Sequence, residues 1–210
     1  MATTTGRILG PRRTAGAGTK FFFQFLTRPT MVGAIAPSSR HLAAAMLETI
    51  DFKPGLRLAE YGPGTGPFTD AILRRVHAAR PGGVTFFAVE RNEELASVLR
   101  GRFPDLRLTV DSVENIERVC QEQGVDNLDA IVSGLPWASF PEELQRRILD
   151  ATVRVLRPGG QLVTFAYQIG RYTKAGKRFA RLLPTYFSSV SRSRLVWRNM
   201  PPAYVLRCVR

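Results

Sequence analysis

The 210 residues carry 30 Lys/Arg against 17 Asp/Glu, a formal net charge of +13, and 44% of them are apolar. That is enough chain for one domain with a full core and no disulfide or metal staple. Cys120 and Cys208 match no metal or redox spacing, and no apolar run approaches the roughly 18 residues of a membrane span. A disulfide scaffold, a zinc module and an integral membrane protein are therefore set aside, and a reducing, cytoplasmic setting is expected.

The charge is unevenly placed. Met1–Leu47 holds six Lys/Arg and Ala151–Arg210 twelve, with no carboxylate in either; all seventeen acids lie between Glu48 and Asp150, which is five charges negative. Basic ends of this kind imply a polyanionic partner, nucleic acid or an anionic membrane surface.

In chain order, Met1–Thr19 is Thr-, Gly-, Ala- and Arg-rich and reads as a flexible basic arm. Residues 20–54 form a leader. Phe21, Phe22, Phe23, Phe25 and Leu26 cluster there between Lys20 and Arg28, and Pro37-Ser38-Ser39 offers a helix start for Leu42, Ala45, Met46 and Ile50. From Leu56 strands and helices alternate. Strands are expected at Leu56–Tyr61, Thr85–Glu90, Leu106–Val110, Leu128–Val132 and Gln161–Tyr167. Helices are expected at Phe68–His77, Asn92–Arg100, Val113–Gln123 and Pro141–Leu156, with a turn at Pro158-Gly159-Gly160. That alternation specifies a doubly wound α/β domain over 55–210 with a mostly parallel sheet. A basic helix, Lys174–Leu183, follows. Two β-rich runs, Ser188–Trp197 and Tyr204–Val209, are then separated by a connection too short for a crossover, so an antiparallel C-terminal strand pair is expected, seven strands in all.

Leu58-Ala59-Glu60-Tyr61-Gly62-Pro63-Gly64-Thr65-Gly66 ends a strand and opens a helix, the setting in which a glycine loop lets backbone approach a ligand at a helix N-terminus. A nicotinamide-binding loop spaces its third glycine one position later. This tighter spacing, with an acid two residues before Gly62, resembles the first motif of class I methyltransferases. The resemblance implies S-adenosylmethionine as cofactor, Glu60 facing its methionine moiety and Gly62, Gly64 and Gly66 beneath it. It further implies Glu90 on the ribose hydroxyls, Asp111 at the adenine and Ser133 lining the same site.

Ser133-Gly134-Leu135-Pro136-Trp137 follows the fourth strand. A similar motif in amino-methylating members, ribosomal RNA adenine dimethylases among them, begins with Asn, and Gly134 stands in its place. An alkyl amine makes different demands: it must lose a proton, be held in line and be stabilised as it becomes cationic. Trp137 and Tyr167 are the candidate ring faces for that cation, worth about 0.5–2 kcal/mol.

Phe22-Phe23-Gln24-Phe25-Leu26, Pro29 and Val32-Gly33-Ala34-Ile35-Ala36-Pro37-Ser38-Ser39, with the two motifs above, resemble the soluble, peripherally bound bacterial phospholipid N-methyltransferases. That resemblance implies stepwise methylation of phosphatidylethanolamine towards phosphatidylcholine by a monomer at the inner face of the cell membrane, with no metal and no DNA partner. Arg171, Lys177 and Arg178 become the candidates for the lipid phosphate. No general base is assigned: His77 reads as a surface residue, His41 as a helix-surface residue that could approach the site, Tyr61 and Tyr167 are alternatives, and proton loss to water would require none of them. RNA adenine methylation is the alternative, in which the basic ends grip a phosphate backbone.

Overall fold

The structure, a computed structural model, describes residues 38–79 and 83–210. The arm Met1–Thr19 and the Phe21–Phe25 cluster lie outside the described residues.

Helix α1 (Arg40–Leu47) starts where the sequence places it: Ser39 is the N-cap, its hydroxyl accepting the Leu42 N–H at 3.2 Å. There follow β1 (Leu56–Tyr61), α2 (Pro67–Ala78), β2 (Val84–Glu90), α3 (Glu93–Arg102), β3 (Leu108–Val110), α4 (Ile116–Glu122) and β4 (Leu128–Ser133). The chain continues through α5 (Glu142–Val155), β5 (Leu156–Tyr167), α6 (Lys174–Leu182), β6 (Ser189–Arg192) and β7 (Ala203–Val209). The seven strands pair in the order β3-β2-β1-β4-β5-β7-β6; all are parallel except β7, which runs antiparallel to both β5 and β6.

Both faces of the sheet are covered, which is why its central strands carry consecutive buried apolar residues, as at Phe86–Val89 and Ala130–Val132. Leu58, Phe86, Ala130, Val132 and Val163 pack on one side with Leu42 and Met46 of α1 and Phe68 and Ile72 of α2. Their neighbours Ala59, Phe87, Ile131 and Leu162 point the other way, into a core completed by α4, α5 and α6. Strand order reverses direction at β1 and β4, so the chain leaves these two strands to opposite sides and opens a crevice beyond their carboxyl ends.

Two expectations change. The Pro158-Gly159-Gly160 turn lies inside β5 as a bulge, where the pairing with β4 shifts; Gly159 donates to and Gly160 accepts from Arg210, so the end of β7 holds it. The run expected to continue as strand to Trp197 ends at Arg192. Ser193 takes the Val205 N–H with its hydroxyl, and buried Asn199 accepts from the Ser39 N–H and donates to the Pro201 carbonyl. Together they fold 193–202 into a loop at the carboxyl end of the sheet.

Candidate active site

The glycine loop turns sharply because Gly62, Gly64 and Gly66 all have left-handed φ, at 62°, 60° and 86°. Sterics reinforce the choice at two of them. A Cβ on Gly62 would sit 2.7 Å from the Leu135 side chain, and one on Gly66 would sit 2.6 Å from the Phe103 ring. Gly66 caps α2 and Pro67 fills its first turn, where a missing N–H is no loss.

Three acids end β1, β2 and β3, and each is held differently. Glu60 is fully buried; its Oε2 accepts the Thr69 hydroxyl at 2.7 Å, while Oε1 has no partner among the described residues. Burial pushes its carboxyl up to about 8, against the Thr69 hydrogen bond and with some help from Glu90. Glu90 spans the start of the loop, accepting the Gly64 N–H at 3.0 Å and the Asn92 N–H at 2.9 Å. Asp111 accepts from Ser112 N–H and Asn115 and pairs with Arg118. Desolvation raises its carboxyl, but those donors together outweigh it and hold the group below the usual range.

This arrangement fits a cationic amino acid joined to a nucleoside. An unpartnered carboxylate oxygen in a dry pocket requires a donor, and an ammonium group would supply one. The chain is 31% identical over 192 residues to an ornithine lipid N-methyltransferase of Singulisphaera acidiphila, covering 90% of this chain and 93% of that one. The chain belongs to the class I S-adenosylmethionine-dependent methyltransferases. A protein-L-isoaspartate O-methyltransferase of Methylorubrum extorquens is 30% identical over 137 residues, covering 64% of this chain and 57% of the relative. Fibrillarin of Aeropyrum pernix, solved with bound S-adenosylmethionine, shares the fold at 16% identity with a TM-score of 0.60, over 80% of this chain and 74% of that one. No protein-family model matches. S-adenosylmethionine is thus the cofactor of this methyltransferase; the Gly62–Gly66 loop and the acids Glu60, Glu90 and Asp111 are the candidate residues for it, brought together at the ends of β1, β2 and β3.

Beyond β4 the methyltransferase departs from expectation. Ser133 is fully buried, and its hydroxyl accepts the Trp137 indole N–H at 3.0 Å, which directs it into the core. Trp137 is 2% exposed. Its ring stacks on Phe179 of α6 at 5.0 Å and 15°, with Phe140 edge-on at 6.4 Å. The reading of Trp137 as an open ring face for a cation is corrected: it is a strut joining the post-β4 loop to α6. Tyr167, at the end of β5, is half-buried and edge-on to Phe165 at 5.5 Å; desolvation raises its hydroxyl. Gly134 donates its N–H to the Tyr61 carbonyl at 2.8 Å, and a Cβ there would lie 2.7 Å from the Gly62 carbonyl oxygen. No side chain fits without displacing the glycine loop.

Of the cationic candidates, Arg171 and Lys177 are exposed, Arg171 lying over the Tyr172 ring at 5.6 Å. Arg178 is half-buried; its Nη2 donates to the Phe140 carbonyl at 3.1 Å, and among the described residues its buried Nε has no partner and no carboxylate pairs with it. His77 is exposed on the last turn of α2, and Tyr61 is fully buried beside Thr152, so neither reaches an acceptor as a base.

Sequence reasoning missed Thr69, which holds Glu60, and Gln145, which is fully buried and donates to the Trp137 carbonyl at 2.6 Å. Gln145 was detectable: it occupies the apolar stripe of α5 with Ile148, Leu149 and Thr152, where an amide needs a reason.

Proposed function

We propose that this methyltransferase methylates the primary amine of a membrane lipid, phosphatidylethanolamine and its partly methylated products, at an anionic membrane surface. What carries the reading is the extent of the lipid N-methyltransferase match, which includes the acceptor half of the chain and not the cofactor half alone. Gly134 supports it: the close approach to Gly62 leaves no room for the amide that orients a planar nucleobase amine, while an alkyl amine needs none.

S-adenosylmethionine supplies a methyl group already activated by its sulfonium, so no covalent enzyme intermediate is needed. The chain's own residues position and shield. Glu60 and Glu90 anchor the donor through the loop, and the Trp137–Phe179 stack fixes the post-β4 wall. Tyr167 offers a ring to the cation that forms, and Arg178, held by the Phe140 carbonyl and without a carboxylate partner among the described residues, takes the lipid phosphate. The acceptor ammonium loses its proton to solvent before attack.

The test is methyl transfer from labelled S-adenosylmethionine, at one salt concentration, to phosphatidylethanolamine vesicles, ornithine-lipid vesicles and ribosomal RNA. Label in mono-, di- or trimethylated phosphatidylethanolamine supports the proposal. Label in ornithine lipid alone keeps the lipid amine and replaces the headgroup; label in RNA alone overturns it.

A further inference from the structure

Among the described residues five large apolar side chains are conspicuously exposed, and four of them lie in two neighbouring loops: Ile169 (70%) and Tyr172 (68%) after β5, Trp197 (74%) and Met200 (62%) between β6 and β7. The loops are tied together. The Gln168 N–H donates to the Pro202 carbonyl at 2.8 Å, one residue beyond the Tyr167–Ala203 pair that ends the β5–β7 ladder. Because β7 is antiparallel, its start and the end of β5 lie at the same edge of the sheet, the carboxyl edge that carries the methyltransferase site.

These side chains are displayed on a rigid base. Asn199, between Trp197 and Met200 in the chain, is buried and bonded to Ser39 and Pro201, so its neighbours are turned outward. On the other loop, Thr173 caps α6 by accepting the Gly176 N–H at 3.0 Å. The flanking charge is of one sign: Arg171, Lys174, Lys177, Arg194 and Arg198 are exposed, and no acid occurs from Ala151 to Arg210.

We infer that Ile169, Tyr172, Trp197 and Met200 form a wedge that inserts shallowly into an anionic lipid surface, with the surrounding Lys and Arg on its headgroups, setting the site's mouth against the membrane. Large apolar groups ringed by cations match an interface that is greasy below and negative above. An RNA would meet the cations but leave Ile169 and Met200 without a base edge to read. The inference rests on the lipid-amine reading for its purpose, not for its geometry.

The chain has two tryptophans, Trp137 buried and Trp197 exposed, so fluorescence reports the wedge directly. Emission of the full-length protein is followed with phosphatidylglycerol vesicles, with and without brominated acyl chains, and with phosphatidylcholine vesicles, without methyl donor. The expected result is a blue shift and bromine quenching on phosphatidylglycerol that vanish in Trp197→Phe. Ile169→Ser and Met200→Ser should each weaken vesicle binding about tenfold while leaving transfer to a monomeric short-chain lipid amine unchanged. Emission unmoved by vesicles, variants that bind as wild type, an equal response to RNA, or a dimer lost on these substitutions would each overturn the wedge. If the wedge responds but no lipid amine is methylated, the proposed function fails and the docking surface stands.

Discussion

The two halves of the site are built on opposite plans. Around β1, β2 and β3 the functional groups are carboxylates drawn inward: Glu60 fully buried, Glu90 bonded to the loop it closes, Asp111 paired with Arg118. Around β4, β5 and β7 the inward groups are packing side chains, Trp137 on Phe179 and Gln145 beneath the loop, and from Ala151 to Arg210 every charge is basic. A cofactor that never changes can be met by fixed polar atoms. An acceptor of the proposed kind, drawn from a membrane surface, would need a firm wall and an open, attractive rim.

The largest effect expected from breaking that contrast is at the wall. Trp137→Ala should lose about 3–5 kcal/mol of stability in urea unfolding, because a large side chain leaves a dry site lined by Phe140 and Phe179. Trp137→Phe should lose only ~1 kcal/mol, the indole N–H bond to Ser133, and keep activity. Equal losses in the two would remove the strut.

Where the halves touch, Gly134→Asn should weaken S-adenosylmethionine binding roughly 5- to 150-fold, since its Cβ meets the Gly62 carbonyl and overpacking costs ~1–3 kcal/mol. Calorimetric affinity equal to wild type would mean the loop can yield, and with it the argument against a planar amine.

The cofactor half should also be readable by pH. Glu60 titrates at about 8 when folded against an ordinary 4.5, so the folded state binds the extra proton. Its contribution to stability is full below 4.5 and is lost as pH rises towards 8. Without cofactor, Tm should fall across that window, and Glu60→Gln should flatten this part of the profile. Binding of the cationic donor favours the ionised carboxylate, so it should release a proton in the same window, detected as buffer-dependent binding enthalpy. The smallest effect serves as a control: Gly101 lies in α3 with nothing near its missing Cβ, and Gly101→Ala should add about 0.5–1 kcal/mol without altering affinity.

The fold and the loop and strand-end placement of the cofactor candidates were legible in the chain because their signals are local. Alternating apolar periods, the Gly62–Gly66 spacing, the Ser39 cap and an acid at each strand end are short-range patterns that backbone sterics and hydrogen bonding force on a few adjacent residues. What the tertiary structure alone decided depends on residues distant in sequence. Trp137 became a strut because Phe179 arrives 42 positions later, and Gly134 is obligatory because Gly62 passes 2.7 Å from where its Cβ would be. Trp197 stands in solvent because Asn199 is bonded to Ser39, 160 positions earlier. Composition and periodicity report whether a side chain prefers burial; only the meeting of distant segments determines which face it shows and what it touches.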